Sequence, residues 1–376
     1  MSKKGRVLVA MSGGIDSTAT AMMMHDEGYE VVGITMKTWD YAQSGGSKKE
    51  TGCCSLDSIN DARAVAVRMG FHHFIVDIRE EFGDYVIDNF VDEYMAGRTP
   101  NPCVLCNTHI KWSSLLKRAD AMDCEFIATG HYARINEVAG RRFISKSADL
   151  KKDQSYVLWG LTQECLARTQ FPLGDMQKPE VRKYVFEAGF EEFSKKAESY
   201  EICFVPDNDY RGFLRRRVPN LEQQVKGGNF INAKGDIIGT HEGYPFYTIG
   251  QRKGLGKAFG EPMFVSKIIP ETNTVVLGKI EELLRNGMTV GKINLQKFAE
   301  IPNGLEAVTQ IRYNDGGTLA ALKNISNPDK VGTEGGQIGV EFFANVKGVA
   351  PGQSAVFYEG DDVIGGGIIM GSYLNN

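Results

Sequence analysis

No apolar run in this chain comes near the roughly 18 residues that a membrane-spanning helix needs, and the N-terminus, Met-Ser-Lys-Lys-Gly, has no secretory h-region. Neither a membrane span nor export is therefore expected, and a cytoplasmic location fits best. Gly-x4-Gly-Lys-Ser/Thr occurs nowhere, so the chain is not a Walker-type nucleotide binder. There is no second Cys-x-x-Cys to complete a four-cysteine zinc ribbon. The seven cysteines, odd in number and scattered, do not form a secreted disulfide framework. The chain also lacks a basic excess: its net charge of −4 excludes a uniformly basic nucleic-acid binder while allowing local basic patches. No internal repeat or low-complexity tract interrupts it.

What is present is an ordinary globular composition, 42% hydrophobic and 24% charged, over 376 residues, enough for two or three domains. Near the start, Val7–Ala10 reads as a buried parallel strand. It runs through Met11-Ser12-Gly13-Gly14 into a helix signalled by Ile15, Ala19, Met22 and Met23 and stopped at Gly28. A strand feeding a helix through Ser-Gly-Gly is an anion site: the first helical N–H groups lack partners, the dipole favours negative charge, and glycine lets backbone approach a phosphate. Asp16 and the hydroxyls of Ser12 and Ser17 are placed to position Mg²⁺ or phosphate oxygens. Ser-Gly-Gly-x-Asp-Ser after an N-terminal strand resembles the pyrophosphate loop of the ATP pyrophosphatases, which split ATP between its α- and β-phosphates.

Further along, strand signals at 29–36, 74–78 and 125–129 alternate with helix signals at 58–69, 82–95 (Tyr85, Val86, Phe90 and Tyr94 inward) and 110–122. This pattern predicts a doubly wound parallel sheet, with ligands beyond the strand C-termini where Ser12–Ser17, Met36 and Gly130 fall. Tyr132–Ser147 reads as a hairpin around Ala139-Gly140, and Pro179–Ala188 as a helix. After about residue 210 helix signals thin out. Strand candidates at 307–313, 317–323, 340–343, 354–358 and 363–370 suggest a small C-terminal β-barrel. Residues 1–209 are expected to form the catalytic unit, 210–282 a central linker module and 283–376 the barrel. Four arginines in Arg211–Arg217, with Gln251-Arg252-Lys253 and Lys146–Lys152, are basic runs that point to a polyanionic partner.

Cys103 and Cys106 form a Cys-x-x-Cys just before a helix, where the helix terminus is expected to lower a thiol pKa. On its own the pair has several readings: a redox couple, half of a zinc site, or part of an Fe–S site. Cys203 lies on an irregular stretch, Ile202-Cys203-Phe204. Cys124 and Cys165 read as core, and Cys53 and Cys54, in a polar loop, as structural.

Taken together, Ser12–Ser17, Asn101–Lys111, Ala128–Arg134, Lys152–Tyr156, Ile202–Phe204, Tyr247–Leu255 and Pro351-Gly352-Gln353 resemble the tRNA-specific 2-thiouridylases over nearly the whole chain. The resemblance implies an α/β plus β fold: an adenine nucleotide α-hydrolase-like sheet domain, a small module and a tRNA-gripping barrel. It implies ATP-dependent replacement of O2 of the wobble uridine (position 34) of tRNA by sulfur, with Mg²⁺ accompanying ATP and a persulfide-carrying relay protein as donor. Carried over by motif, Cys203 bears the persulfide and Cys106 is the second thiol, the two ending as a disulfide. Ala10, Met11, Ser12, Gly13, Gly14, Ile15, Asp16, Ser17, Met36 and Gly130 are the implied ATP contacts, and Asn101, Pro102 and Cys103 the contacts to the target base. His131, Lys152, Asp153, Gln154, Arg312, Tyr313 and Gln353 are the implied tRNA contacts.

The chain departs from the family pattern at Cys103, where an Asp is usual. A thiol titrates some four pH units above a carboxylate and does not replace it at neutral pH. Cys103 is then either a tolerated substitution or, with Cys106 and Cys203, a three-thiolate cradle for a [4Fe–4S] cluster. Two rivals remain open: another pyrophosphate-loop ligase or amidating enzyme, which needs no distant thiol pair, and a non-catalytic tRNA-binding relative.

Overall fold

The structure, a computed structural model, describes residues 4–39, 55–196, 202–205, 207–302, 304–325 and 336–375. Cys53, Cys54 and most of the polar loop that holds them lie outside the described residues. The chain divides into two compact units. One comprises 1–86, 103–209 and 361–363; the other comprises 87–102, 210–360 and 364–376.

In the first unit, β1 (Arg6–Ala10), α1 (Ile15–Asp26), β2 (Glu30–Lys37), α2 (Leu56–Met69) and β3 (His72–Asp77) alternate as expected. α2 starts at Ser55, whose hydroxyl accepts from Ser58 N (3.1 Å), a cap worth about 1 kcal/mol. It ends at Gly70, left-handed at φ 78°, a conformation that costs glycine nothing. After α3 (Arg79–Phe82) comes a π-helical turn, Gly83–Ile87.

A second helical run holds α5 (Pro102–Leu105), a π-helical stretch Cys106–Lys111 and α6 (Trp112–Ala121), between α4 (Asp88–Met95, in the second unit) and β4 (Phe126–Ala128). The hairpin β5 (Ala133–Val138) and β6 (Arg141–Lys146) turns at Ala139 and Gly140, both at positive φ. Then follow α7 (Gln163–Ala167), β7 (Thr169–Gln170), α8 (Lys178–Glu187) and α9 (Glu191–Ser194).

The five-stranded sheet is ordered β3-β2-β1-β4-β7 with parallel pairings throughout. The chain leaves β1 toward β2 and later returns to its other side as β4. The crevice between the C-terminal ends of β1 and β4 is therefore the topological switch point, where such sheets bind ligands. α1 and α8 cover one face, with Ile15, Ala19 and Met22 packed in one cluster with Val181 and Val185.

One expectation changes here: Tyr85 is 59% exposed instead of inward. On the edge strand β3, Phe74 and Ile75 are exposed as well. The π turn around Tyr85 inserts a residue and rotates the apolar stripe, while Val86, Phe90 and Tyr94 stay buried.

The second unit carries α10 (Tyr210–Arg217), α11 (Leu221–Val225) and a four-stranded sheet of β8 (Gly228–Ile231), β9 (Ile237–His241), β10 (Phe264–Ile269) and β11 (Thr274–Gly278). It also carries β12 (Leu284–Leu295), β13 (Glu306–Gln310), β14 (Thr318–Asn324), β15 (Ile338–Lys347), β16 (Ser354–Glu359) and β17 (Asp362–Tyr373). These six run in the order β12-β15-β14-β13-β16-β17, and β12 pairs with β17, closing the barrel around Met288, Leu322, Val340 and Phe357. Strand β12 was not expected from sequence. No helix among the described residues is long and apolar enough to cross a membrane.

Candidate active site

The glycine loop is closed by its own hydroxyls. Ser12 N donates to Ser17 Oγ (3.1 Å), and Ser17 Oγ donates to the Gly14 carbonyl (3.0 Å). Gly13 stands at φ 70°, and a Cβ there would strike the Ser58 carbonyl of α2; only glycine fits. Gly14 precedes α1 in extended conformation and has no side chain with which to cap it, so the helix start is left to an external anion. A Cβ on Gly130 would lie 2.8 Å from the Asp16 carbonyl carbon and 2.9 Å from Ser17 N, so the turn after β4 abuts the loop after β1. β2 is tied to the same place: Met11 N donates to the Ile34 carbonyl (2.8 Å) and Thr35 Oγ1 to the Met11 carbonyl (2.7 Å). The expected ATP contacts Ala10–Ser17, Met36 and Gly130 thus gather at the C-terminal end of the sheet.

Asp16 is occupied. Lys178 Nζ bonds both of its carboxylate oxygens, at 2.7 and 2.8 Å, and Tyr132 Oη donates to Oδ1 at 2.8 Å. A second lysine, Lys196, donates to the Gly13 carbonyl (2.9 Å) and pairs with Asp61. Sequence reading missed Tyr132, Lys178 and Lys196 as parts of the site; no local motif marks the lysines.

His131 follows Gly130. Its Nδ1 is 2.8 Å from Thr129 Oγ1, and its ring packs by Trp112 and Phe171 at centroid distances of 5.5 and 6.0 Å. Burial pushes its pKa down to about 3, with Lys111 adding to the effect, so the ring is neutral at physiological pH. It is therefore a neutral polar group at this place rather than a charge.

The Lys152–Gln154 turn is knitted inward. Asp153 accepts from Ser147 N (2.9 Å) and Ser155 Oγ (2.6 Å), and Gln154 Oε1 accepts from Tyr132 N (3.0 Å). These two side chains shape the turn that presents Lys152.

The Cys-x-x-Cys lies within helical structure and not ahead of it: Cys103 in α5, Cys106 opening the π-helical stretch. Cys103 is exposed and Cys106 buried. Although solvent reaches Cys103, surrounding protein desolvates its thiol and raises the pKa, with Lys111 opposing. The expected lowering by a helix terminus is thus outweighed. Asn107 is almost fully buried beside Cys106; its Nδ2 donates to the Val157 carbonyl (3.1 Å) and its Oδ1 has no partner. Half-buried Cys203 sits beside Phe204, which packs edge-on against Phe82 at 5.9 Å and beside Trp39 at 6.4 Å. Cys124 and Cys165 are buried, as expected of core residues.

No group of three His, Cys, Asp or Glu side chains among the described residues is placed to hold a metal ion. The three-thiolate cradle is not assembled, because Cys103 faces solvent while Cys106, three residues on, points into the protein. The donor set does not fit a [4Fe–4S] cluster.

In the second unit, Asn101 and Pro102 end a turn braced by the barrel. Gln353 Nε2 donates to the carbonyls of Thr99 (3.1 Å) and Pro100 (2.9 Å), and Thr99 N donates to the Pro351 carbonyl (2.9 Å). Gln353, expected to contact tRNA, spends its amide on this turn. Arg312 and Tyr313, just past β13, are exposed, as RNA contacts require. Two arginines of the basic run of α10 are paired: Arg215 with Glu222 (2.8 Å) and Glu242 (2.6 Å), and Arg217 with Asp88 (3.1 Å).

Three family models match the chain. Residues 5–207 match a family model described as the tRNA methyl transferase HUP domain, 212–279 the tRNA methyl transferase PRC-barrel domain, and 285–369 the aminomethyltransferase β-barrel domain. The chain is 61% identical to the tRNA-specific 2-thiouridylase MnmA of Amoebophilus asiaticus over 99% of its own length and 96% of that protein. It is 60% identical to the enzyme of the same name from Cytophaga hutchinsonii over 99% of each. Among solved structures, a 4-thiouridine synthetase–RNA complex with bound ATP aligns at a TM-score of 0.36 and 18% identity, over 58% of this chain and 51% of that one. At this identity, over essentially the full length of both partners, the chain belongs to the tRNA-specific 2-thiouridylase family.

Proposed function

We infer that this protein is an ATP-dependent tRNA-uridine 2-sulfurtransferase acting on the wobble uridine. The observation that carries the reading is the gathering of Ser12–Ser17, Met36 and Gly130 at the switch point of a parallel sheet in the same unit as Cys106 and Cys203. Oxygen at C2 of a uracil leaves poorly, and adenylation converts it into part of AMP. Uracil O2 attacks the α-phosphorus of ATP, and pyrophosphate departs with the electron pair of the broken P–O bond. Sulfur arrives as a persulfide on Cys203 from a carrier protein. Cys106 attacks that persulfide, the S–S bond breaks, sulfur passes to C2 as AMP leaves, and a Cys106–Cys203 disulfide remains. The disulfide is then reduced by cellular thiols.

The target nucleotide belongs to an anticodon loop, already single-stranded, so placing it in the site costs little. Asn101, Pro102 and Cys103 face the base in this reading, and Lys152, His131, Arg312 and Tyr313 the rest of the tRNA. Mg²⁺ accompanies the ATP phosphates. Residues 1–209, 210–282 and 283–376 divide the work into nucleotide chemistry, linkage and tRNA grip.

The test is release of pyrophosphate from ATP on adding a tRNA transcript with uridine at position 34, and of AMP once a persulfide donor is supplied as well. Release should require that uridine and fall to background in Asp16→Ala with tRNA affinity within about twofold of wild type. Equal release with a cytidine-34 transcript would refute the reading.

A further inference from the structure

Asp16 and Lys178 are 162 residues apart in sequence and form a close ion pair in which the Lys178 side chain is 8% and the Asp16 side chain 31% exposed. Lys178 is placed from three directions. Gln177 and Pro179 begin α8 around it, its backbone N donates to Asp149 Oδ2 (2.9 Å), and α8 is locked to α1 through Val181 and Val185. Its ammonium also lies 5.5 Å from the centroid of the Tyr132 ring, whose hydroxyl holds the same Asp16 oxygen.

An enclosed ion pair is a poor device for stability, since apolar side chains of the same volume commonly do as well or better. Its location explains it. Asp16 lies in the first turn of α1, directly after the glycine loop, where backbone alone would otherwise meet the highly charged triphosphate. With both carboxylate oxygens engaged, Asp16 is arranged to aim a cation rather than to meet phosphate itself.

We propose that Lys178 is a further ATP-site residue, held at the pyrophosphate loop by Asp16 and Tyr132. Its ammonium contacts the phosphate chain and takes up charge on the leaving pyrophosphate. In that step a bond forms from uracil O2 to the α-phosphorus, the bond from that phosphorus to the α,β-bridging oxygen breaks, its electron pair leaves with pyrophosphate, and the uracil N3 proton passes to water. Lys178 transfers no proton in this step. Asp16 and Tyr132 are positioning residues. The assignment rests on the adenylating reading above.

The test compares wild type with Lys178→Met, Asp16→Asn and the double variant, using ATP and the uridine-34 transcript. Each single variant should lose about a hundredfold or more in the rate of pyrophosphate release, the usual scale for removing one preorganised charge partner, with tRNA affinity within about twofold. Single variants also leave a charge unpaired and lower the melting temperature. The double variant should recover the melting temperature while remaining as inactive as the singles. If activity returns together with stability in the double variant, the pair is structural and the proposal fails. It fails equally if Lys178→Met releases pyrophosphate at the wild-type rate. A wild-type enzyme with no tRNA-dependent release instead refutes the adenylating reading, and this assignment with it.

Discussion

His131 shows how one side chain's surroundings decide what it offers a ligand. Enclosed by Trp112 and Phe171 and tied to Thr129, it stays neutral down to about pH 3 in the folded protein, against 6.5 when unperturbed. The sign follows. Between those values the unfolded chain binds the proton and the folded one does not, so the stability from keeping the ring neutral is intact above pH 6.5 and is lost as pH falls toward 3. By pH 5.5 the loss is about 1.4 kcal/mol. Urea unfolding at pH 7.5 and 5.5 should show it, and His131→Gln should lessen the difference; an identical pH dependence in the variant would contradict a buried neutral ring. Residue-level reading from sequence marked His131 through the motif around it, but not Lys178, whose importance comes from a partner far along the chain. Solitary lysines carry no periodicity and no spacing.

Among the elements, the turn that ends at Pro102 is the clearest case of one segment shaping another. Gly97 sits at φ 67°, Arg98 pairs with Glu93 (2.6 Å), and Gly352 comes so close that a Cβ on it would lie 2.8 Å from the Thr99 carbonyl oxygen. Gln353 closes the arrangement with its two bonds to backbone carbonyls. Replacing Gln353 by Ala should leave tRNA affinity within about twofold and lower kcat for thiolation about tenfold, because Asn101 would no longer be held in place. A raised tRNA Kd with unchanged kcat would instead make Gln353 a direct RNA contact.

Local chemistry made several elements legible in sequence: Gly70 ends α2, Ala139-Gly140 turn the β5–β6 hairpin, and alternating strands and helices specify the sheet. Strand β12 was not legible, because Gly287 and Gly291 read as breaks. In the barrel they are close approaches: a Cβ at Gly287 would strike the Tyr373 ring, and one at Gly291 would lie 3.1 Å from Met370 Cγ. The π turns at Gly83–Ile87 and Cys106–Lys111 escaped for the opposite reason, since their sequences carry ordinary helical periodicity. Tertiary packing decides where the extra residue enters.

At the scale of the whole molecule, an acidic protein is assigned a polyanionic substrate, and the distribution of charge reconciles the two. Arg215 and Arg217 of α10 are paired with Glu222, Glu242 and Asp88 within their own unit, whereas Arg312 and Tyr313 are exposed and are the contacts proposed for RNA there. The glycine loop, Cys106, Cys203 and the Lys178–Asp16 pair all reside in the first unit, to which the nucleotide chemistry is assigned. The division of labour predicts that neither thiol is needed for tRNA binding and that both are needed for product. The most direct measurement is mass spectrometry of the wobble nucleoside after incubating a uridine-34 transcript with ATP, Mg²⁺, a persulfide donor and the protein. Wild type should convert that uridine to 2-thiouridine, and Cys106→Ser and Cys203→Ser should each leave it unmodified while still binding the transcript. Continued thiolation by either serine variant, or a methylated uridine in place of the thiolated one, would contradict the account.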